Sequence, residues 1–225
     1  MVLSPQQLEA MMPDASQLLS NEPEIESSEH SDQLAMLVTC LEWQWHDKDD
    51  YFIGANLSIY FSRQQLRNHD FRGPDFFLVK QTQKHSRNSW VVWEEDGKYP
   101  NVIIELLSDN TADTDRTLRK TLYQDHFHTP EYFYFSPDTL EFAGFRLSGS
   151  EYQQIQPNAV DWLWSQELGL YLGIDSGKLR YFTAEGSRVP TPEEAALQAE
   201  LELEQEERNN EVLPETLVPI DFDVA

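Results

Sequence analysis

The chain has 225 residues and a formal net charge of −24, from 40 acidic residues against 16 basic ones. This surplus argues against general nucleic-acid binding, because phosphate contacts need clustered Lys and Arg, and against attachment to an anionic membrane surface. Hydrophobic residues make up 40% of the sequence, which is enough to build a core and excludes global disorder.

Cysteine usage and hydropathy exclude further classes. The single cysteine, Cys40, cannot form an intramolecular disulfide or a multi-cysteine metal site, and its apolar surroundings favour a buried structural thiol. No run of about 18 apolar residues occurs, so the sequence predicts no membrane-spanning helix. Residues 1–32 contain no Lys or Arg and lack the basic start of a signal peptide. We therefore expect a cytoplasmic protein.

The negative charge is concentrated at the two ends of the chain. Residues 1–32 hold seven acidic side chains and no basic one, and residues 191–225 hold eleven acidic side chains and one Arg. Between Phe61 and Pro130 there are ten basic and ten acidic residues. A site in this balanced stretch is not opposed by the global charge, although the charge still argues against tight nonspecific binding to DNA.

The first predicted elements are a helix and three strands. Leu34, Leu37, Leu41 and Trp45 follow one another at helical spacing and predict a helix over residues 29–46, with Ser27 or Ser28 as its N-cap. The strand predictions cover residues 51–61, 75–80 and 101–107. The apolar run of the last strand is nearly continuous, which is typical of a buried central strand.

A second helix and a β-rich extension complete the predicted domain. The helix covers residues 112–126 and the next strand residues 131–136. In the extension we predict strands over residues 140–147, 152–156 and 178–183, and a short helix or 3₁₀ turn within 162–172. The run Thr191-Pro-Glu-Glu194 predicts a C-terminal helix that continues to about residue 208. Three parts follow: a flexible acidic lead-in (1–28), an α/β domain with a mixed sheet (29–185), and an acidic helix and tail (191–225).

Two carboxylates stand where catalytic chemistry is plausible. Asp75 follows a Gly-Pro turn and opens a strand, and Glu105 interrupts the buried strand. A buried carboxylate is costly unless it is paired or binds a metal. Two carboxylates on adjacent strands suit Mg²⁺ or Mn²⁺, and Lys120 could orient a water molecule beside them. Each of the three also has a structural interpretation: a turn residue, an ion-paired carboxylate and a solvated helix residue.

The motifs resemble a known family. Gly73-Pro-Asp75, Asn101-Val-Ile-Ile-Glu-Leu-Leu-Ser108, Thr111-Ala-Asp-Thr-Asp115 with Lys120 and Tyr123, and Thr129-Pro-Glu-Tyr132 resemble the Uma2 family of putative restriction endonucleases. The resemblance covers roughly residues 29–185. It implies a restriction-endonuclease-like core of the PD-(D/E)XK superfamily, whose order of helix, three strands, helix and strand is also the order read from the residues.

The resemblance also implies site roles. Asp75 and Glu105 would be metal ligands, with the backbone carbonyl of Leu106 as a third. Glu29 on the first helix is a further candidate ligand, against a plain role at the helix N-terminus. The superfamily's usual lysine position holds Leu107, so Lys120 on the next helix takes that role by resemblance.

Asp115 and Tyr123 are supporting residues of the same pattern. Asp115 lies four residues before Arg119, and a helix salt bridge is the first interpretation of that pair, with metal-site support second.

The first functional hypothesis is an endonuclease that uses Mg²⁺ or Mn²⁺ to hydrolyse phosphodiester bonds in DNA. A nuclease-fold protein-interaction module with a weak or inactive site is the second, because the acidic ends would repel nucleic acid. A metal-dependent hydrolase of small phosphate esters is the third, because it needs no extended basic surface. We expect a homodimer by analogy with nuclease-fold proteins that act on duplexes.

Overall fold

The computed structural model of the chain describes residues 18–22, 27–62, 73–107 and 118–211, together with Ser4, Gln7, Met11 and Ile25. In these parts of the chain no helix is long and apolar enough to cross a membrane.

A six-stranded mixed sheet forms the centre of the domain. Its strands are β1 (Tyr51–Ala55), β3 (Phe76–Lys80), β5 (Val102–Leu106), β6 (Glu131–Phe135), β7 (Phe142–Ser148) and β8 (Glu151–Gln154), hydrogen-bonded in that order. Only the β5–β6 pair is parallel; the other four pairs are antiparallel. Every residue of β5 is buried, as the continuous apolar run predicts.

One face of this sheet is covered by a helix and a second sheet. Helix α1 (Ser28–Gln44) starts at the N-cap Ser27, whose side chain accepts a hydrogen bond from the backbone N–H of His30. The apolar stripe of α1 shares a core with the central sheet and with strands β9 (Leu163–Ser165), β10 (Leu170–Asp175) and β11 (Lys178–Phe182). These three strands form an antiparallel sheet in the order β11-β10-β9.

The opposite face is covered by helix α2 (Lys120–Asp125) and a parallel pair formed by β2 (Ile59–Tyr60) and β4 (Trp90–Val91). Its core is rich in aromatic side chains, including Phe77, Trp90, Tyr123 and Tyr132. Along the chain the elements of the central sheet and its helices follow the order helix, three strands, helix, strand, so the predicted fold class is confirmed.

Two local predictions are wrong. The segment 162–172 is not a helix: β9 and β10 form a hairpin whose turn includes Gly169 with φ +67°. A glycine adopts this conformation at little cost, and the turn lets Tyr171 pair with Trp164 across the strands. The predicted strand over 51–61 is broken after Ala55, because Asn56 takes a left-handed conformation (φ 45°).

The chain divides into two compact units, residues 1–189 and 190–225. In the second unit, helix α3 (Pro192–Glu211) extends slightly beyond the predicted end at about residue 208. Thr191 and Glu194 form the expected capping box: each side chain accepts a hydrogen bond from the other residue's backbone N–H, at 3.2 and 2.9 Å.

Candidate functional site

The pairing of β3 and β5 brings the two predicted carboxylates together. Phe76 lies opposite Ile104 in this antiparallel pair, so one further step places Asp75 opposite Glu105. Directly opposed residues of an antiparallel pair have neighbouring side chains. Two backbone N–H groups tie the residues together: that of Leu106 donates to Asp75 Oδ2 (2.8 Å), and that of Asp75 donates to Glu105 Oε2 (3.3 Å).

Asp75 forms the accessible side of this pair. Its side chain is 25% exposed, and the Nε2 atom of His30, from the first turn of α1, lies 3.8 Å from Oδ2. The Asp75 carbonyl accepts a hydrogen bond from the N–H of Asn56 (2.7 Å), which fixes the start of β3. Among the described residues no hydrogen bond engages Oδ1 of Asp75.

The turn before Asp75 is held in place by a tight backbone contact. A Cβ atom on Gly73 would lie 2.0 Å from the carbonyl oxygen of Leu57, so only glycine fits at this position. The Gly73 N–H donates to the carboxylate of Glu22, which also accepts a hydrogen bond from the Ser58 hydroxyl (2.6 Å). The segment around Glu22 therefore helps to position Asp75 through the Gly-Pro turn.

Glu105 is fully buried, and donors surround its carboxylate. The Tyr123 hydroxyl donates to Oε1 (2.6 Å), and Arg119 Nη1 donates to Oε2 (2.8 Å). Paired in this way, a buried carboxylate does not carry the penalty of an isolated charge. Burial, and then the neighbouring Glu105 carboxylate, raises the pKa of the Tyr123 hydroxyl well above its usual range, so Tyr123 remains a hydrogen-bond donor.

Lys120 has a different environment from Arg119. Its ammonium group lies 3.3 Å from the centroid of the Phe145 ring, and burial lowers its pKa. Among the described residues, no hydrogen bond or ion pair joins Lys120 to Asp75 or Glu105. The guanidinium that reaches Glu105 belongs instead to the preceding residue.

The other predicted site residues have separate positions. Glu29 is exposed and lines a recess with Asp32 and Lys178, whereas His30, the next residue of α1, faces Asp75. Leu106 contacts Asp75 through its backbone N–H. Asp115 lies outside the described residues.

The donor set at Asp75 and Glu105 fits a hard divalent cation. Carboxylate oxygens are the ligands that Mg²⁺ and Mn²⁺ prefer, and the accessible Asp75 lies beside the buried Glu105. Within the described ranges, no group of three or more His, Cys, Asp or Glu side chains is arranged to hold a metal ion. Of the described side chains, Asp75 and Glu105 are the two that would hold a metal ion here.

Reasoning from the sequence missed two residues of this cluster. Arg119 was considered for a helix salt bridge, and His30 was not singled out. One signal was present for each: Arg119 adjoins the predicted lysine, and His30 follows the candidate Glu29 on α1. Neither signal shows which of two adjacent side chains faces the carboxylates.

Comparisons with known proteins agree with the assignment of the motifs. One similar solved structure is a protein from Anabaena variabilis described as a "putative nuclease belonging to DUF820". It is 14% identical, with a TM-score of 0.46, over 74% of this chain and 91% of that one. No curated protein matches the chain. The family model "Uma2: Putative restriction endonuclease" matches residues 6–181, more than half of the sequence, and the chain therefore belongs to the Uma2 family.

Proposed function

We propose that this protein is a divalent-metal-dependent endonuclease that hydrolyses phosphodiester bonds in DNA. The observation that carries the proposal is the pairing of Asp75 with Glu105 through two backbone N–H groups at the meeting point of β3 and β5. Membership of a family described as putative restriction endonucleases supports the same reaction class.

The residues have distinct roles in this proposal. Asp75 and Glu105 would hold Mg²⁺ or Mn²⁺ together with the Leu106 carbonyl, and the bound ion would activate water and neutralise charge on the phosphodiester. Tyr123 positions Glu105 by donating to Oε1, and His30 lies against Asp75. By family resemblance Lys120 would orient the attacking water, which requires its side chain to leave the Phe145 ring.

The test combines metal binding with DNA cleavage. Calorimetry with Mn²⁺ and cleavage of plasmid and single-stranded DNA would compare the wild type with Asp75→Asn and Glu105→Gln. Mutation of a residue that hydrogen-bonds to a metal ligand typically lowers metal affinity roughly 10- to 100-fold. We expect loss of a ligand itself to lower the affinity at least as much and to abolish cleavage. Asp125→Asn, an exposed carboxylate of α2, is the matched control. Unchanged metal binding in both site variants would show that the site is elsewhere.

A nuclease-fold interaction module is the second candidate. Two observations favour it: Arg119 pairs with Glu105, and the Lys120 ammonium lies over the Phe145 ring. If this candidate is correct, the wild type cleaves neither DNA substrate. Asp75→Asn and Glu105→Gln then change the stability of the protein and have no effect on a metal-dependent activity.

The proposal includes a homodimer, because cutting both strands of a duplex uses two sites. Light scattering after size-exclusion chromatography should give about twice the 26.2 kDa chain mass. A mass of one chain would contradict the dimer and leave the nuclease proposal to its own test.

A further inference from the structure

Arg119 is a cation that pairs with one of the two candidate metal ligands, Glu105. It immediately precedes α2, and its Nη1 atom lies 2.8 Å from Glu105 Oε2. The Arg119 side chain is 18% exposed and the Glu105 side chain is fully buried. This ion pair is therefore largely shielded from solvent, where charge interactions are stronger than at a protein surface.

The Arg119 contact engages the Glu105 oxygen nearer to Asp75. Oε2 is the Glu105 oxygen on the side of Asp75, since it also accepts the Asp75 N–H. Oε1 is bonded to the buried Tyr123 hydroxyl. A cation held by both Asp75 and Glu105 would therefore lie close to the positive charge of Arg119.

We propose that Arg119 is a displaceable counter-ion of the metal site: it neutralises Glu105 before a divalent cation binds and is displaced from Oε2 when the cation arrives. This inference rests on the proposed function, because it takes Asp75 and Glu105 as the ligands. It assigns Arg119 as a positioning residue, which keeps a buried carboxylate paired and in place for the metal.

Removing the Arg119 charge should have two effects of opposite sign. Without metal, the buried Glu105 carboxylate loses the ion pair with Arg119, so the protein becomes less stable. The site also loses a cation that competes with the metal ion, so its affinity for the metal ion rises. If Arg119 had only a structural role, its replacement would lower stability and would leave metal affinity unchanged or weaker. Lower stability together with higher metal affinity therefore identifies the counter-ion role.

The test is calorimetric titration of Mn²⁺ into the folded full-length chain at about pH 8, well above the ordinary carboxyl pKa. Arg119→Met keeps much of the side-chain volume and should bind Mn²⁺ more tightly, on the order of 10-fold. Its thermal midpoint should lie below that of the wild type without metal, and saturating Mn²⁺ should narrow the gap, since a ligand of the native state stabilises it.

A second ion-paired arginine supplies the control. Arg188→Met also removes one positive charge, but Arg188 is exposed and pairs with Asp175 (3.0 Å), so its Mn²⁺ affinity should stay within about 2-fold of the wild type. Arg119→Lys keeps a charge and should lie closer to the wild type than Arg119→Met. If Arg119→Met does not fold, Arg119→Gln, which can still donate to Glu105, takes its place and should also bind Mn²⁺ more tightly.

Three results would overturn the inference. In the first, the folded Arg119 variants bind Mn²⁺ no more tightly than the wild type, while Asp75→Asn abolishes the binding seen in the wild type. This result would exclude the counter-ion role and leave the nuclease proposal standing. Equal tightening of Mn²⁺ binding by Arg188→Met would show that the effect comes from the overall charge of the protein and not from Arg119. Absence of Mn²⁺ binding by the wild type would remove the inference and the proposed metal site together.

Discussion

The Tyr123 hydroxyl donates to a buried, ion-paired carboxylate, so its loss should cost more than loss of an ordinary hydroxyl contact. Tyr123→Phe should lower the free energy of unfolding by about 1.5–3 kcal/mol, the range for hydrogen bonds to charged groups. Tyr152→Phe is the matched control, because that hydroxyl donates to the neutral carbonyl of Thr129 (2.8 Å) and should cost about 0.5–1.5 kcal/mol. Urea denaturation measures both, and equal costs would contradict the special status of the Glu105 contact.

Gly73 is a second residue with a specific requirement. Gly73→Ala would press a Cβ atom against the Leu57 carbonyl, so the turn must shift and Asp75 with it. We expect a loss of roughly 1–3 kcal/mol in stability, together with weaker Mn²⁺ binding. Gly177→Ala is the comparison: it has open space but a positive φ of 76°, so it should cost about 1 kcal/mol and leave Mn²⁺ binding unchanged. Unchanged Mn²⁺ binding in Gly73→Ala would show that the turn does not position Asp75.

The sequence was informative about Asp75 and Glu105 for a physical reason. A charged residue inside an apolar run, as at position 105, and an acid after Gly-Pro both break an expected pattern. Arg119 could not be predicted in the same way. Successive helical residues point about 100° apart, so the choice between Arg119 and Lys120 depends on the exact phase of α2 against the sheet, which a single sequence does not fix.

At the scale of elements, one glutamine joins α1 to the second sheet. The Gln33 side chain is buried, its amide nitrogen donates to the Leu179 carbonyl, and its amide oxygen accepts from the Leu179 N–H, both at 2.9 Å. Gln33→Ala would leave both backbone groups of Leu179 without these partners and should cost about 2–4 kcal/mol in urea denaturation. Gln44→Ala, exposed at the end of the same helix, should stay within about 0.5 kcal/mol. Similar values for the two variants would contradict a bridging role.

The helix and strand predictions are accurate where the sequence pattern within the element is sufficient to identify it. β5 and β6 were predicted within a residue or two, because their apolar runs are continuous and bounded by turn residues. The prediction for residues 162–172 was wrong because a short apolar run is compatible with either a helix or a strand. Only pairing of β10 with its neighbours on both sides decides in favour of a strand.

At the scale of the whole molecule, the acidic C-terminal helix should weaken association with DNA. In α3, Glu200, Glu202, Glu204 and Glu206 are exposed, so changing them to glutamine removes charge without altering the core. We expect tighter DNA binding at low salt, measured with Ca²⁺ in place of Mg²⁺, and little difference at high salt, because screening removes long-range repulsion. Gln198→Asn, an uncharged change at an exposed position of the same helix, should have no effect on DNA binding. A gain that persists at high salt would contradict a long-range origin.

The Gln33 contact also bears on how copies of this chain can meet. β11 is an edge strand, and edge strands readily recruit another chain by adding a strand. Gln33 occupies the backbone groups of Leu179, the Val189 N–H donates to the Tyr181 carbonyl, and Phe182 bridges to Arg188. The chain's own groups thus engage this edge at Leu179, Tyr181 and Phe182, which hinders the addition of a strand from another copy at these positions.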